Sequence, residues 1–174
     1  MIRHKLIQQT VSRLLEDAGV HGPGFDVRLV AKTQGAIVVE EPNEADFSGF
    51  LYRASNTAPV IGVNKNHALS RKRFTIAHEL GHLLLHTKSE VHLDQAIVKM
   101  RDARTSAGVD DEEMEANRFA AELLMPRSFL EADLEALGPI YADDERAIAK
   151  LARQYRVSPQ AMAIRLSTLN LVWM

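Results

Sequence analysis

His78 and His82 stand four positions apart in the stretch Arg73-Phe74-Thr75-Ile76-Ala77-His78-Glu79-Leu80-Gly81-His82-Leu83-Leu84-Leu85-His86, and Glu79 follows the first of them. On a helix this spacing puts both imidazoles on one face, roughly 6 Å apart, where they can share one metal ion. Glu79 lies about 100° around the helix from His78, so it can touch a water at the ion without ligating. In hydrolases that carry H-E-x-x-H, that glutamate takes a proton from the water while the metal lowers the water's pKa and polarises a carbonyl. Ile76, Ala77, Leu80, Leu83, Leu84 and Leu85 surround these groups with apolar side chains and predict a mostly buried helix. The alternative is two core histidines bonded to backbone with Glu79 in solvent. Without an ion, each buried polar group left unsatisfied costs about 1–3 kcal/mol.

A catalytic zinc keeps three protein ligands and one open position, so a third donor is needed. His86 is a poor one, because continuous helix puts it about 12 Å along the axis from His78. No glycine separates Leu83 from His86, and His86 suits the helix end, where a histidine meets the dipole. A better donor lies between Asp110 and Pro126, which bound a helix of about four turns. Projected at 100° per residue, Ala116, Ala120, Leu123 and Leu124 define its apolar stripe. Glu113 falls inside that stripe with Asn117 one turn on, and Glu115 falls opposite with Arg118 and Glu122. A carboxylate aimed into a core wants a cation, so Glu113 is expected as third ligand and Glu115 as a solvated residue; a capping box of Glu113 with Asp110 has the same spacing. Asn117 is positioned either to hold a ligating imidazole or Glu113, or to pair with backbone.

Together, R-x-R-F-T-I-A-H-E-L-G-H from Arg71 to His82 and E-x-x-A-N-x-F-A-A-x-L-L-M-P from Glu113 to Pro126 resemble the ImmA/IrrE family of metallopeptidases. The resemblance implies a gluzincin-like zinc peptidase in which His78, His82 and Glu113 hold Zn2+ and Glu79 is the catalytic glutamate. It also implies a regulatory role: cleavage of a helix-turn-helix repressor of the XRE type, switching on genes of a mobile element, a toxin module or a stress response. Manganese or another divalent ion also suits a His and carboxylate set. The rival reading is a non-proteolytic metal-containing module, regulatory or of toxin–antitoxin type, that acts by binding a repressor or DNA. A second donor to the oxyanion is usual in such hydrolases, and Tyr52 and Tyr141 are the candidates.

The elements that must position these residues follow from the rest of the chain. Its 174 residues suffice for one good core, and 46% hydrophobic and 25% charged residues are ordinary for a folded protein. A formal charge of −2 argues against a broad electrostatic grip on nucleic acid or an anionic membrane. There are no cysteines, so a metal must be held by His and carboxylate. No apolar run approaches about 18 residues, and a cytoplasmic location is expected.

Leu6, Ile7, Val11, Leu14, Leu15 and Ala18 recur at helical spacing before Gly19. Asp26 caps a short helix ending before Gly35, and 36–40, 47–53 and 59–64 read as strands, the last two as a hairpin. Ser48-Gly49-Phe50-Leu51 is the candidate edge for pairing with an extended substrate. Ser70 is the expected cap of the metal helix. The stretch 87–109, with His92, Asp94 and the basic Lys99, Arg101 and Arg104, has weak patterning and reads as an irregular excursion near the cleft, with a lid as one use of it. A further helix over 128–137 precedes Gly138. Two more, at 143–155 and 158–169, form a C-terminal pair with Ser158 as cap and Pro159 at the first helical position. Helix, short turn, helix invites a DNA-binding reading, but Gln160, Arg165 and two hydroxyls are all the second helix offers, so packing on the core is expected, with a protein docking surface as a further alternative. The fold class expected is α+β: one predominantly helical domain over 1–174, with a small three-stranded antiparallel or mixed sheet beside the H-E-x-x-H helix.

Overall fold

The computed structural model describes residues 2–86, 91–95, 106–138 and 140–173. Apolar spacing sets the first element, α1 (His4–Asp17), which buries Ile7, Val11, Leu14 and Leu15. The Asp26 carboxylate accepts from the Arg28 amide and starts α2 (Val27–Thr33). Three strands follow, β1 (Ile37–Glu41), β2 (Phe47–Tyr52) and β3 (Val60–Asn64), and then the metal helix α3 (Leu69–Leu85). Its N-cap is Ala68, with no side-chain cap, so Ser70 lies inside the first turn rather than at the expected cap position.

The sheet has four strands rather than three, in the order β1-β3-β2-β4. β1 runs parallel to β3, β2 forms the expected antiparallel hairpin with β3, and β4 (Val91–Gln95) adds antiparallel to the other side of β2. Ser48–Leu51 is therefore an interior strand segment, not the edge. Gly49, Phe50 and Leu51 pair with β3 on one side and β4 on the other, and β4 is the outer strand at that end. Part of the stretch read as irregular is thus regular strand; the proposed lid residues at 87–90 and 96–105, including Lys99, Arg101 and Arg104, lie outside the described residues.

Two close approaches seat α3. A Cβ at Gly49 would collide with Thr75 Cγ2 and with the Gly62 carbonyl, so only glycine lets α3 press onto the sheet there. At Gly81, a Cβ would lie 3.1–3.2 Å from Phe119 and from the Ala116 Cα, which marks the closest contact with α4 (Ser106–Leu124). Around it Ile76, Ala77, Leu80, Phe119, Ala120, Leu123 and Leu124 form the buried centre.

The helices α5 (Arg127–Leu137), α6 (Glu145–Tyr155) and α7 (Pro159–Thr168) complete the chain, with Asp144 and Ser158 capping the last two. α7 is tied inward. Arg165 is buried, donates from Nε to the Met125 carbonyl at 3.0 Å and pairs with Glu122. The cation on which the DNA-binding reading depended is committed to the core. No described helix is long and apolar enough to cross a membrane.

Candidate metal centre

α3 holds both histidines of the pair on its buried face, each at most 3% exposed. His78 Nε2 and His82 Nε2 lie 3.1 Å apart. α4 crosses over them at Gly81 and presents Glu113, whose Oε1 is 3.1 Å from His82 Nε2 and whose Oε2 is 3.6 Å from His78 Nε2. Donors about 2.0–2.1 Å from a tetrahedral zinc lie about 3.3 Å from one another. The three separations bracket that value, so the residues present fit a small divalent ion. α4 begins at Ser106, before Asp110, so Asp110 lies within the helix.

Each ligand candidate is oriented by a neighbour. His78 Nδ1 is 3.0 Å from Asn117 Oδ1, so the amide oxygen accepts the Nδ1 hydrogen and leaves Nε2 bare toward the cluster. Burial pushes the His82 imidazolium down to about 4, only partly offset by its hydrogen bond to Glu113. His82 is therefore neutral at ordinary pH, the form that ligates. Burial works against ionising Glu113, but hydrogen bonds to His82 and His92 outweigh it and hold the carboxyl far below its usual range.

Two of the residues around the cluster lie outside the sequence expectation. His92, on β4, joins His78, His82 and Glu113, with one donor atom from each within 4.8 Å of the others. Its Nε2 is 2.8 Å from Glu113 Oε1 and its Nδ1 is 3.0 Å from Glu79 Oε2, and its ring stacks on His82 at 3.8 Å. Burial opposes its charge, yet the hydrogen bonds to Glu113 and Glu79 prevail and push it up to about 10. The signal that reveals β4 is alternation: Val91 and Leu93 face out, His92 faces in. Glu115 is the second. It is buried rather than solvated, in contact with Arg3 and His86. Projection onto one apolar stripe misplaced it, because α4 is covered on a second side by the N-terminal segment.

Glu79 is fully buried and sits against His92, outside the group of donors. Tyr52 pairs opposite Val91, one residue out of phase with the Leu51–His92 pair, so it projects from the other face of the sheet. Tyr141 forms an isolated bridge with Trp173. Among the described residues no hydrogen bond joins either hydroxyl to the cluster, so neither oxyanion expectation finds support in the geometry.

A mixed sheet thus lies under the H-E-x-x-H helix, with a carboxylate presented to it from the next helix. The chain belongs to the ImmA/IrrE metallopeptidase family: a peptidase family model described as the IrrE N-terminal-like domain matches residues 32–167. The uncharacterized immunity region protein 2 of Bacillus phage phi105 is 36% identical over 81 residues, covering 47% of this chain and 46% of that protein. The radiation response metalloprotease IrrE of Deinococcus radiodurans is 34% identical over 100 residues, covering 57% of this chain and 28% of that one. The matches thus span less than half the length of either curated relative. A solved structure described as a Mycobacterium tuberculosis transcriptional regulator shares the fold, with a TM-score of 0.64 at 23% identity over 92% of this chain and 55% of that one.

Proposed function

We propose that the protein is a zinc-dependent regulatory endopeptidase that hydrolyses a peptide bond in a protein substrate. The observation that carries this reading is the convergence of His78 Nε2, His82 Nε2 and the Glu113 carboxylate at ligand spacing, with the buried Glu79 beside them but outside the set. A divalent ion held there supplies a Lewis acid that polarises the scissile carbonyl and acidifies a water. Glu79 accepts the proton of the attacking water and later delivers it to the leaving amine. Asn117 keeps His78 in the ligating tautomer.

His92 is close enough to be a fourth ligand, but hydrolysis needs an open position. We assign it instead to the developing oxyanion. Its Nδ1 donates to Glu79, and its Nε2 faces the cluster from the outer strand. β4 also replaces Ser48–Leu51 as the strand on which an extended substrate would align, bringing its carbonyl under His92.

For the substrate we propose a helix-turn-helix repressor of the XRE type, acted on in the cytoplasm. The reading is supported by membership of the family and by relatives named as a metalloprotease and as a phage immunity region protein. Purified wild type and Glu79→Gln, each loaded with zinc, are to be incubated with a proteome-derived peptide library. Cleavage by wild type alone, with equal metal in both, is the expected result. No cleavage by either, with both proteins metal-loaded and binding an intact repressor, would replace catalysis with the non-proteolytic reading.

A further inference from the structure

The conformation of His82 is set from outside the cluster. Its Nδ1 lies 3.0 Å from His86 Nδ1, and His86 Nε2 lies 3.0 Å from Glu115 Oε2. Glu115 is in turn gripped by Arg3, through the main-chain nitrogen at 2.7 Å, Nε at 2.9 Å and Nη2 at 2.6 Å. The same Nη2 donates to the Leu85 carbonyl at the end of α3 at 3.1 Å. His86 and Glu115 are both at most 5% exposed.

The hydrogens in this chain can be placed by donor and acceptor rules. A carboxylate held by a guanidinium accepts only, so His86 must present Nε2–H to Glu115. In its neutral form such a His86 keeps a lone pair on Nδ1, which can only accept. With an ion between His78, His82 and Glu113 in place of the His82–Glu113 hydrogen bond, His82 supplies the hydrogen from Nδ1 and keeps the Nε2 lone pair that a ligand requires. The opposite assignment sets the His86 Nε2 lone pair against the Glu115 carboxylate and puts a hydrogen on the ligating atom of His82. Asn117 serves His78 with one neutral amide. His82 is served by a charged relay of three residues drawn from the N-terminal segment, α4 and the end of α3.

We propose that His86 is a positioning residue that fixes His82 in its ligating tautomer, and that Glu115 and Arg3 fix His86, so that the N-terminal segment sets the metal affinity of the centre. The inference rests on the metal reading of the cluster. Outer partners of a ligating histidine typically change metal affinity by about 10–100-fold.

Two measurements on the full chain test it. Nitrogen-15 imidazole spectra of the zinc-loaded wild type should show His86 as the Nε2–H tautomer, with the hydrogen of the His82–His86 contact on His82 Nδ1. The reverse pattern overturns the relay. Zinc affinity, read by competition with a chromophoric chelator, should weaken about 10–100-fold in His86→Leu. It should return to within a few-fold of wild type in His86→Asn, whose Oδ1 can stand in for the Nδ1 acceptor. Equal affinity in His86→Leu and wild type overturns the relay alone, as does equal loss in Leu and Asn variants that tracks their melting temperatures. A wild type that takes up no divalent ion overturns the metal reading beneath it.

Discussion

His92 and Asn117 do different work at the centre, and single substitutions separate them. If His92 meets the oxyanion, His92→Ala keeps a full equivalent of metal and loses about 10²–10³ in kcat, as removal of an oxyanion donor does. Metal analysis beside peptide turnover checks this, and loss of the metal would make His92 a ligand. Asn117→Ala leaves His78 free to carry its hydrogen on either nitrogen, so zinc affinity is expected to fall by about 10-fold or more in a chelator titration. At this scale the sequence was legible where local period decides. Four-residue spacing put His78 and His82 on one face, and a 100° projection turned Glu113 inward. His92 was hidden because its strand is only five residues long and is defined by pairing with β2, a contact distant in sequence. Glu115 was hidden because a helix with two buried sides does not reveal the second in one apolar stripe. The face that Tyr52 takes was not legible because strand register, which a single chain does not display, decides it.

The elements place the donors through their spacing. At Gly81 the nearest neighbours include the Ala116 main chain, which cannot rotate away. Gly81→Val should therefore push α4 off α3, costing about 1–3 kcal/mol in denaturant unfolding and weakening metal uptake together. A variant of wild-type stability and affinity would show that the helices do not need this approach. The Arg3–Glu115 clamp, which ties the N-terminal segment to α4, makes stability depend on acid. Hydrogen bonding by Arg3 holds the Glu115 carboxyl down to about 2, against an ordinary value near ~4.3 in the unfolded chain. Above the unfolded value both states are ionised and the contribution is complete. As pH falls from there toward 2 the unfolded state takes up a proton first, so stability declines. Urea midpoints of wild type against Glu115→Gln should converge across that window; a constant gap would mean the clamp does not titrate. Most of these elements were foreseeable from apolar period and caps, including the hairpin and the C-terminal helices. The sheet order was not, since parallel pairing of β1 with β3 and the addition of β4 depend on the packed whole.

For the molecule entire, the buried ion pair of Arg165 with Glu122 binds α7 to α4 and turns the C-terminal helices into support for the centre. An ion held by His78, His82 and Glu113 would add to that support. At a free zinc concentration of about 100 times Kd, binding adds about 2.7 kcal/mol. Chelation should then lower the melting temperature by about 5–11 °C, at about 2–4 °C per kcal/mol for a chain of this size. His78→Ala should show no such response to chelator in differential scanning calorimetry. In the proposed mechanism Glu79 is required for chemistry but not for holding the ion. The most direct test compares protein termini in cells producing wild type with those producing Glu79→Gln, after checking that both proteins carry equal metal. The account predicts a new terminus in the wild-type cells alone, inside a helix-turn-helix repressor. Identical termini in the two, with the same regulatory phenotype, would contradict it.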